Sequence, residues 1–306
     1  MTLSKISRRE ALATMAGLAL LPACSSRTGN TGGPAVKIGS KNFTEELILG
    51  ELYARLLESG GMPVERKLNL GSTQIAMGAL ARGEIDLYPE YTGTALLVVL
   101  KRAPLHDRKA VFDLVKSEYE RRFKLTWLDA APMNDTQALA TTQAVSAKYA
   151  LRTLTDCSRL APQLRLGAVH EFIERPDGLP GLQRAYGGFA FKSVQTVDIG
   201  LKYKALLNGD VDVVLAFGTD GQIDADHLVV LDDDKHFFPP YPVAPVVRED
   251  ALTRFPKLAP TLNRLAPLLT DSVMRHLNWR VDGNKEEPAD VAADFLNRSK
   301  ARLVST

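Results

Sequence analysis

Two cations and three aromatic rings carry the most suggestive chemistry in this chain. Lys41 lies just past a strand-like run, Val36-Lys37-Ile38-Gly39-Ser40. Arg175 lies in a turn-rich stretch, Glu174-Arg175-Pro176-Asp177-Gly178. Tyr91 precedes Thr92-Gly93-Thr94 and an apolar run, where a helix can open and present N–H groups and hydroxyls to an anion. Phe217 and Tyr241 add two π-faces, which attract a cation without needing a donated hydrogen bond. Taken singly, each cation reads as readily as a surface charge, and each ring as core. Together they suit a small ligand with a carboxylate at one end and a cation lacking N–H at the other.

Covalent chemistry finds little support. His170-Glu171 lacks a second His four residues on, and there is no GxSxG, Walker A or strand-linked GxGxxG motif. Asp232-Asp233-Asp234 lacks the alternating ligand spacing of an EF-hand loop. With five scattered His and no Cys pair, neither a metal site nor a cofactor is expected. The formal net charge of +2 over 306 residues leaves no basic footprint for nucleic acid.

The elements that must position these residues alternate between strand and helix. Val36–Ser40, Val64–Leu70 and Glu84–Glu90 read as strands. Between them lie a helix with Leu47, Ile48, Leu52, Leu56 and Leu57 on one face, capped by Asn42 with Glu45, and a short helix capped by Ser72. An amphipathic helix follows over Arg108–Arg122, then a Pro-containing crossing, LTWLDAAPMND. The second half repeats the alternation: strand over Gln137–Val145, helix over Ala147–Leu160, then strands at Leu164–His170, Val194–Asp198 and Val211–Phe217, with helices near Pro180–Gly187 and Gly200–Gly209. A return crossing, HFFPPYPVAPVVRE, leads to a mostly helical end.

One internal match relates the halves. Ala79–Tyr91 (ALARGEIDLYPEY) aligns without gaps on Ala205–Phe217 (ALLNGDVDVVLAF). If structural, it makes two related α/β lobes, with Tyr91 and Phe217 at equivalent strand ends facing a shared cleft. The expected organisation is a first lobe from 36–131 and 238–306 and a second from 132–237, each a mainly parallel sheet flanked by helices.

The amino-terminal residues 1–23 read as an export leader. Ser7-Arg8-Arg9 precedes an apolar run ending at Leu21-Pro22-Ala23-Cys24, a twin-arginine start followed by a lipobox-like end. Cys24 is the expected lipidation site, and 24–35 a Gly-rich tether. Cys157 is then the one remaining thiol, expected as a small buried or half-buried residue.

KIGSKNFTEE, LARGEIDLYPEYTGTAL, FKLTWLDAAPMNDT, EFIERPDGLPGL, DVDVVLAFGTDGQI and LVVLDDDKHFFPPYPVAPVVRE, in this order, resemble the substrate-binding proteins of ABC importers for glycine betaine, carnitine and choline. The resemblance implies a type II periplasmic-binding-protein fold, a betaine-like ligand, no enzymatic activity, an ABC permease and ATPase as partners, and a monomer at the membrane. It further implies that Lys41, Thr94 and Arg175 hold the carboxylate, and that Tyr91 and Tyr241 wall an aromatic cage. Asp135 would offer its main-chain oxygen to the ligand's methyl groups. Two positions depart from the family pattern: Gln137 stands where an aromatic is usual, and Phe217 where Tyr is common. Gln137 would weaken a purely methylated cation and suit a ligand with a hydroxyl or N–H. A binding protein for another small solute, such as an amino acid, and a ligand-sensing lobe are the alternatives.

Overall fold

The computed structural model describes residues 34–304; the leader, Cys24 and nearly all of the tether lie outside them. In chain order the strands are β1 (Val36–Gly39), β2 (Val64–Lys67), β3 (Leu87–Tyr91), β4 (Leu125–Trp127), β5 (Gln137–Thr141), β6 (Arg165–Ala168), β7 (Ser193–Thr196), β8 (Val213–Phe217), β9 (Val229–Val230) and β10 (Val243–Arg248). They form two five-stranded sheets, ordered β2-β1-β3-β10-β4 and β7-β6-β8-β5-β9. All five residues of β3 and of β5 are buried, as expected of strands covered on both faces.

Each sheet is mainly parallel, as expected, with four strands pointing the same way and one reversed, β10 in the first and β5 in the second. The antiparallel strand inserted beside each central strand is the first one laid down after a crossing: β5 follows β4, and β10 follows β9. Sequence periodicity marks a strand but not its direction, so this reversal was not readable.

The internal match is structural. Helices Thr73–Ala81 and Lys202–Leu207 are followed by Gly83 and Gly209, at φ +73° and +75°, a region that favours glycine. The aspartate three residues on then performs the same task in each half. Asp86 Oδ2 accepts from Lys37 N at 2.8 Å in β1, and Asp212 Oδ2 accepts from Arg165 N at 2.9 Å in β6. Each aspartate thereby ties its own strand's start to the parallel neighbour.

Local expectations need several corrections. Helix Thr44–Ser59 has Phe43 at its N-cap with no side-chain cap, so Asn42 and Glu45 do not cap it; Glu45 turns inward instead. Ser72 occupies its N-cap position but makes no capping bond. The strand from Gln137 stops at Thr141, because the Thr142 hydroxyl accepts from Val145 N at 3.2 Å and opens a helix. The single helix over Ala147–Leu160 is two, Gln143–Tyr149 and Leu154–Leu160, divided at Ala150 with φ +50°. Ile48, Leu52, Leu56 and Leu57 are buried as read, in a helix packed against Asp271–Asp282 and Pro288–Val304. Cys157 is buried, and burial pushes its thiol up to about 12.

Candidate functional site

Lys41, Tyr91, Thr94, Asp135, Gln137, Arg175, Phe217 and Tyr241 all line one cavity of about 540 Å³. Strand direction explains the convergence. Tyr91 and Phe217 end β3 and β8, while Gln137 begins β5 and Tyr241 stands just before β10. Because β5 and β10 are antiparallel, their starts lie at the same edge as the ends of β3 and β8: Tyr91 pairs with Val243, and Gln137 with Phe217. Ligands of open α/β sheets bind at this edge. Gly93 permits a close approach there, since a Cβ on it would lie 2.5 Å from Tyr241 Cε1.

Lys41 is not an open cation. Its ammonium donates to Glu90 Oε1 at 2.8 Å, lies 3.5 Å from Glu46 Oε1 and sits 4.6 Å from the centre of the Tyr91 ring. Burial opposes its charge, but Glu90 and Glu46 more than restore it, and its pKa is raised. Glu90 also accepts from Tyr91 N at 2.8 Å and from the Tyr88 hydroxyl at 2.6 Å. Burial pushes the Glu46 pKa up to about 8, against the pull of the Lys41 ammonium.

The second half carries the same device. Lys202 Nζ donates to Asp220 Oδ2 at 2.6 Å and lies 4.1 Å from the Phe217 ring centre. Asp220 Oδ2 likewise accepts from the Tyr203 hydroxyl at 2.6 Å and from Phe217 N at 2.8 Å. At both strand ends, then, a carboxylate gathers a lysine, a tyrosine hydroxyl and the N–H of the cleft aromatic.

Arg175 forms a two-point ion pair with Asp177, whose side chain is 1% exposed. Burial would raise the Asp177 pKa, but the Arg175 hydrogen bonds and charge hold it below the usual range. Asp177 Oδ2 also accepts from Tyr241 Oη at 2.6 Å and from Gln137 Nε2 at 2.7 Å. Among the described residues, Arg175 Nη1 and the Thr94 hydroxyl have no protein partner, and both residues line the cavity. They are donors available to an anion.

Asp135 lines the cavity, and Glu45 lies behind it, bonded to Tyr91. Asp135 Oδ1 accepts from the Thr219 hydroxyl at 2.7 Å. Glu45 accepts from Tyr91 Oη and from Asn278 Nδ2, both at 2.8 Å. Burial raises the pKa of both acids, Glu45 to about 7 and Asp135 well above its ordinary value, where neighbouring Glu45 and Asp220 add to the effect. Phe43 stacks on Tyr91 with ring centres 6.1 Å apart, adding an aromatic that the sequence reading omitted.

The reading also missed Glu45, Glu46, Glu90, Asp177, Lys202 and Asp220. Asp177, two residues after Arg175 in a turn, was the most recoverable, because close opposite charges invite pairing. The others gain their roles only through partners far along the chain.

Comparison with known proteins identifies the family and the fold. Residues 34–298 match the model of the substrate binding domain of ABC-type glycine betaine transport systems. The carnitine transport binding protein OpuCC of Listeria monocytogenes is 34% identical over 274 residues, 89% of each chain. The ergothioneine transport permease/ergothioneine binding protein EgtU of Helicobacter pylori (strain G27) is 37% identical over 262 residues, 85% of this chain; the chain spans only 47% of that longer relative. The crystal structure of a glycine betaine/carnitine/choline ABC transporter superposes with TM-score 0.74 at 35% identity, covering 87% of this chain and 99% of that one. The fold is that of the type II periplasmic binding proteins. The chain belongs to the family of substrate-binding components of ABC-type glycine betaine transport systems, which are not enzymes.

Proposed function

We propose that the cleft captures a zwitterionic quaternary ammonium solute of the betaine class and delivers it to an ABC permease and its ATPase. The observation that carries this is the meeting of Tyr91, Phe217 and Tyr241 with two unpartnered donors, Arg175 Nη1 and the Thr94 hydroxyl, in one cavity. Rings attract a methylated cation at one end, and charge-assisted donors hold a carboxylate at the other. Relatives named for carnitine and ergothioneine support the ligand class.

In this reading lobe 1 (36–131 and 238–306) and lobe 2 (132–237) close on the ligand, exclude water and present a closed shape to the permease. Lys41 stiffens the Tyr91 wall more than it grips the carboxylate, because Glu90 and Glu46 already surround it. The main-chain oxygen of Asp135 faces the ligand's methyl groups. The protein is exported as a monomer and held at the membrane through a lipid on Cys24, a part supported by the Leu21–Cys24 motif and tested by membrane fractionation.

Calorimetry on Thr94→Val tests the site. A lost hydrogen bond to a charged group is worth about 1.5–3 kcal/mol, so glycine betaine should weaken about 10- to 100-fold. Choline, which has no carboxylate, should change less than about twofold on the same affinity scale. Equal losses for both ligands, or binding of amino acids in place of any quaternary ammonium, would overturn the reading.

A further inference from the structure

Gln137 stands at the head of β5, 5% exposed, with its side chain in the cleft wall beside Tyr241. Its Nε2 donates to Asp177 Oδ2 at 2.7 Å and to Tyr241 Oη at 2.9 Å. Asp177 Oδ2 and Tyr241 Oη lie 2.6 Å from each other, so both face the N–H side of the amide. They fix which way the amide points. Reversed, the amide would set its oxygen against the Asp177 carboxylate. That oxygen would find no donor at Tyr241 either, whose hydroxyl proton already goes to Asp177 at 2.6 Å. Gln137 Oε1 is therefore forced away from the network. It has no partner among the described residues, and it is not among the sealed, unsatisfied atoms of the interior.

We propose that Gln137 is a specificity-determining residue: a pre-aimed acceptor that selects betaines bearing a hydroxyl or N–H donor close to the cationic nitrogen. The inference rests on the proposed capture of a quaternary ammonium and narrows its class. A fully methylated cation beside Tyr241 would leave Oε1 desolvated and unbonded once the cleft closes, a cost that a donor on the ligand removes. The aromatic usual at this position would be indifferent to such a donor; an amide held by a buried carboxylate is not. Asp177 serves as the positioning residue, since its charge admits only the N–H side of the amide.

Matched ligand pairs provide the test on the intact protein, with each pair differing in one donor. Carnitine is titrated against γ-butyrobetaine, its deoxy counterpart, and choline against its O-methyl ether. The expected preference for the hydroxyl-bearing member is about 2- to 10-fold, the range of one neutral hydrogen bond. In Gln137→Leu the preference should fall to near unity, whatever happens to the absolute affinities. Equal binding of both members by the wild-type protein, which needs no variant, would overturn the inference, as would a Leu variant that keeps the preference. Binding of glycine betaine but of none of the four would also overturn it, whereas failure of all four and of glycine betaine would instead overturn the quaternary ammonium reading beneath it.

Discussion

Gly93→Ala adds one carbon at the most crowded point of the cleft. The new Cβ would sit 2.5 Å from Tyr241 Cε1, 2.6 Å from Cδ1 and 2.9 Å from Cζ, where ordinary carbon contacts are about 3.5–4 Å. One of the two groups must therefore move by about 1 Å. Tyr241 is poorly able to: its hydroxyl is held by Asp177 and Gln137, and its N–H by Asn134 Oδ1 at 2.7 Å. Overpacking of this kind costs about 1–3 kcal/mol. For a chain of this size that lowers Tm by about 2–10 °C in a thermal melt. A displaced cage wall removes about 0.5–2 kcal/mol of cation–π attraction, which weakens glycine betaine about 2- to 30-fold in calorimetry. Pairing the change with Tyr241→Leu isolates the cause. The Tm loss from Gly93→Ala should shrink markedly in the Leu background, because neighbours that clash are not additive. A Gly93→Ala protein with unchanged Tm and affinity, or an undiminished loss in the Leu background, would refute the steric argument.

Two further outcomes follow from the buried carboxylates. Glu46 and Glu45 have pKa values raised to about 8 and 7, so the folded state holds more protons than the unfolded one above about pH 4.5. Their stability contribution is present at low pH and is lost as pH rises to about 8. Melts at pH ~5.5 and ~8.5 should show a fall of a few kcal/mol, since each tenfold gain in proton affinity on folding is worth about 1.4 kcal/mol. Glu46→Gln, which cannot ionise, should remove much of that slope; an unchanged slope would contradict the assignment. The paired aspartates should differ in weight. Asp86→Ala removes the buried acceptor of Lys37 N and of Arg254 and should cost about 3 kcal/mol, whereas Asp212→Ala, at a half-buried ion pair with Arg165, should cost about 1–2 kcal/mol. Denaturant titrations that ranked the two in reverse would contradict the burial argument.

The parts legible in the sequence were those encoded locally. The Gly–acid–apolar–Asp pattern of Ala79–Tyr91 and Ala205–Phe217 identified two equivalent strand ends, and the rings that line the cleft sit at or beside such ends. Long-range pairing hid the rest. Nothing local shows that β10 inserts between β3 and β4, or that Gln137 meets Asp177, forty residues away in the chain. Lys41 and Arg175 were found as cations of the cleft, but their neutralising partners were not, because a buried Glu90 in the middle of YPEYTGT looks no different from a solvated one. Side-chain capping failed at Asn42 for a related reason: the acid that could have capped, Glu45, is taken up by Tyr91 and Asn278.

The placement of β10 also sets an order of manufacture. β4 has β10 as its one sheet neighbour, and β3 has β1 on one side and β10 on the other. Residues 92–242 separate β3 from that partner. At ~5–20 residues per second on the ribosome, the open edge of β3 waits roughly 8–30 s for Val243–Arg248 to emerge. The second sheet draws all of its strands from Gln137–Val230, and β5 waits only for residues 142–212, roughly 4–14 s at the same rate. The half of the molecule synthesised first is thus the half completed last, and a chain cut short before Val243 leaves β4 with nothing to join.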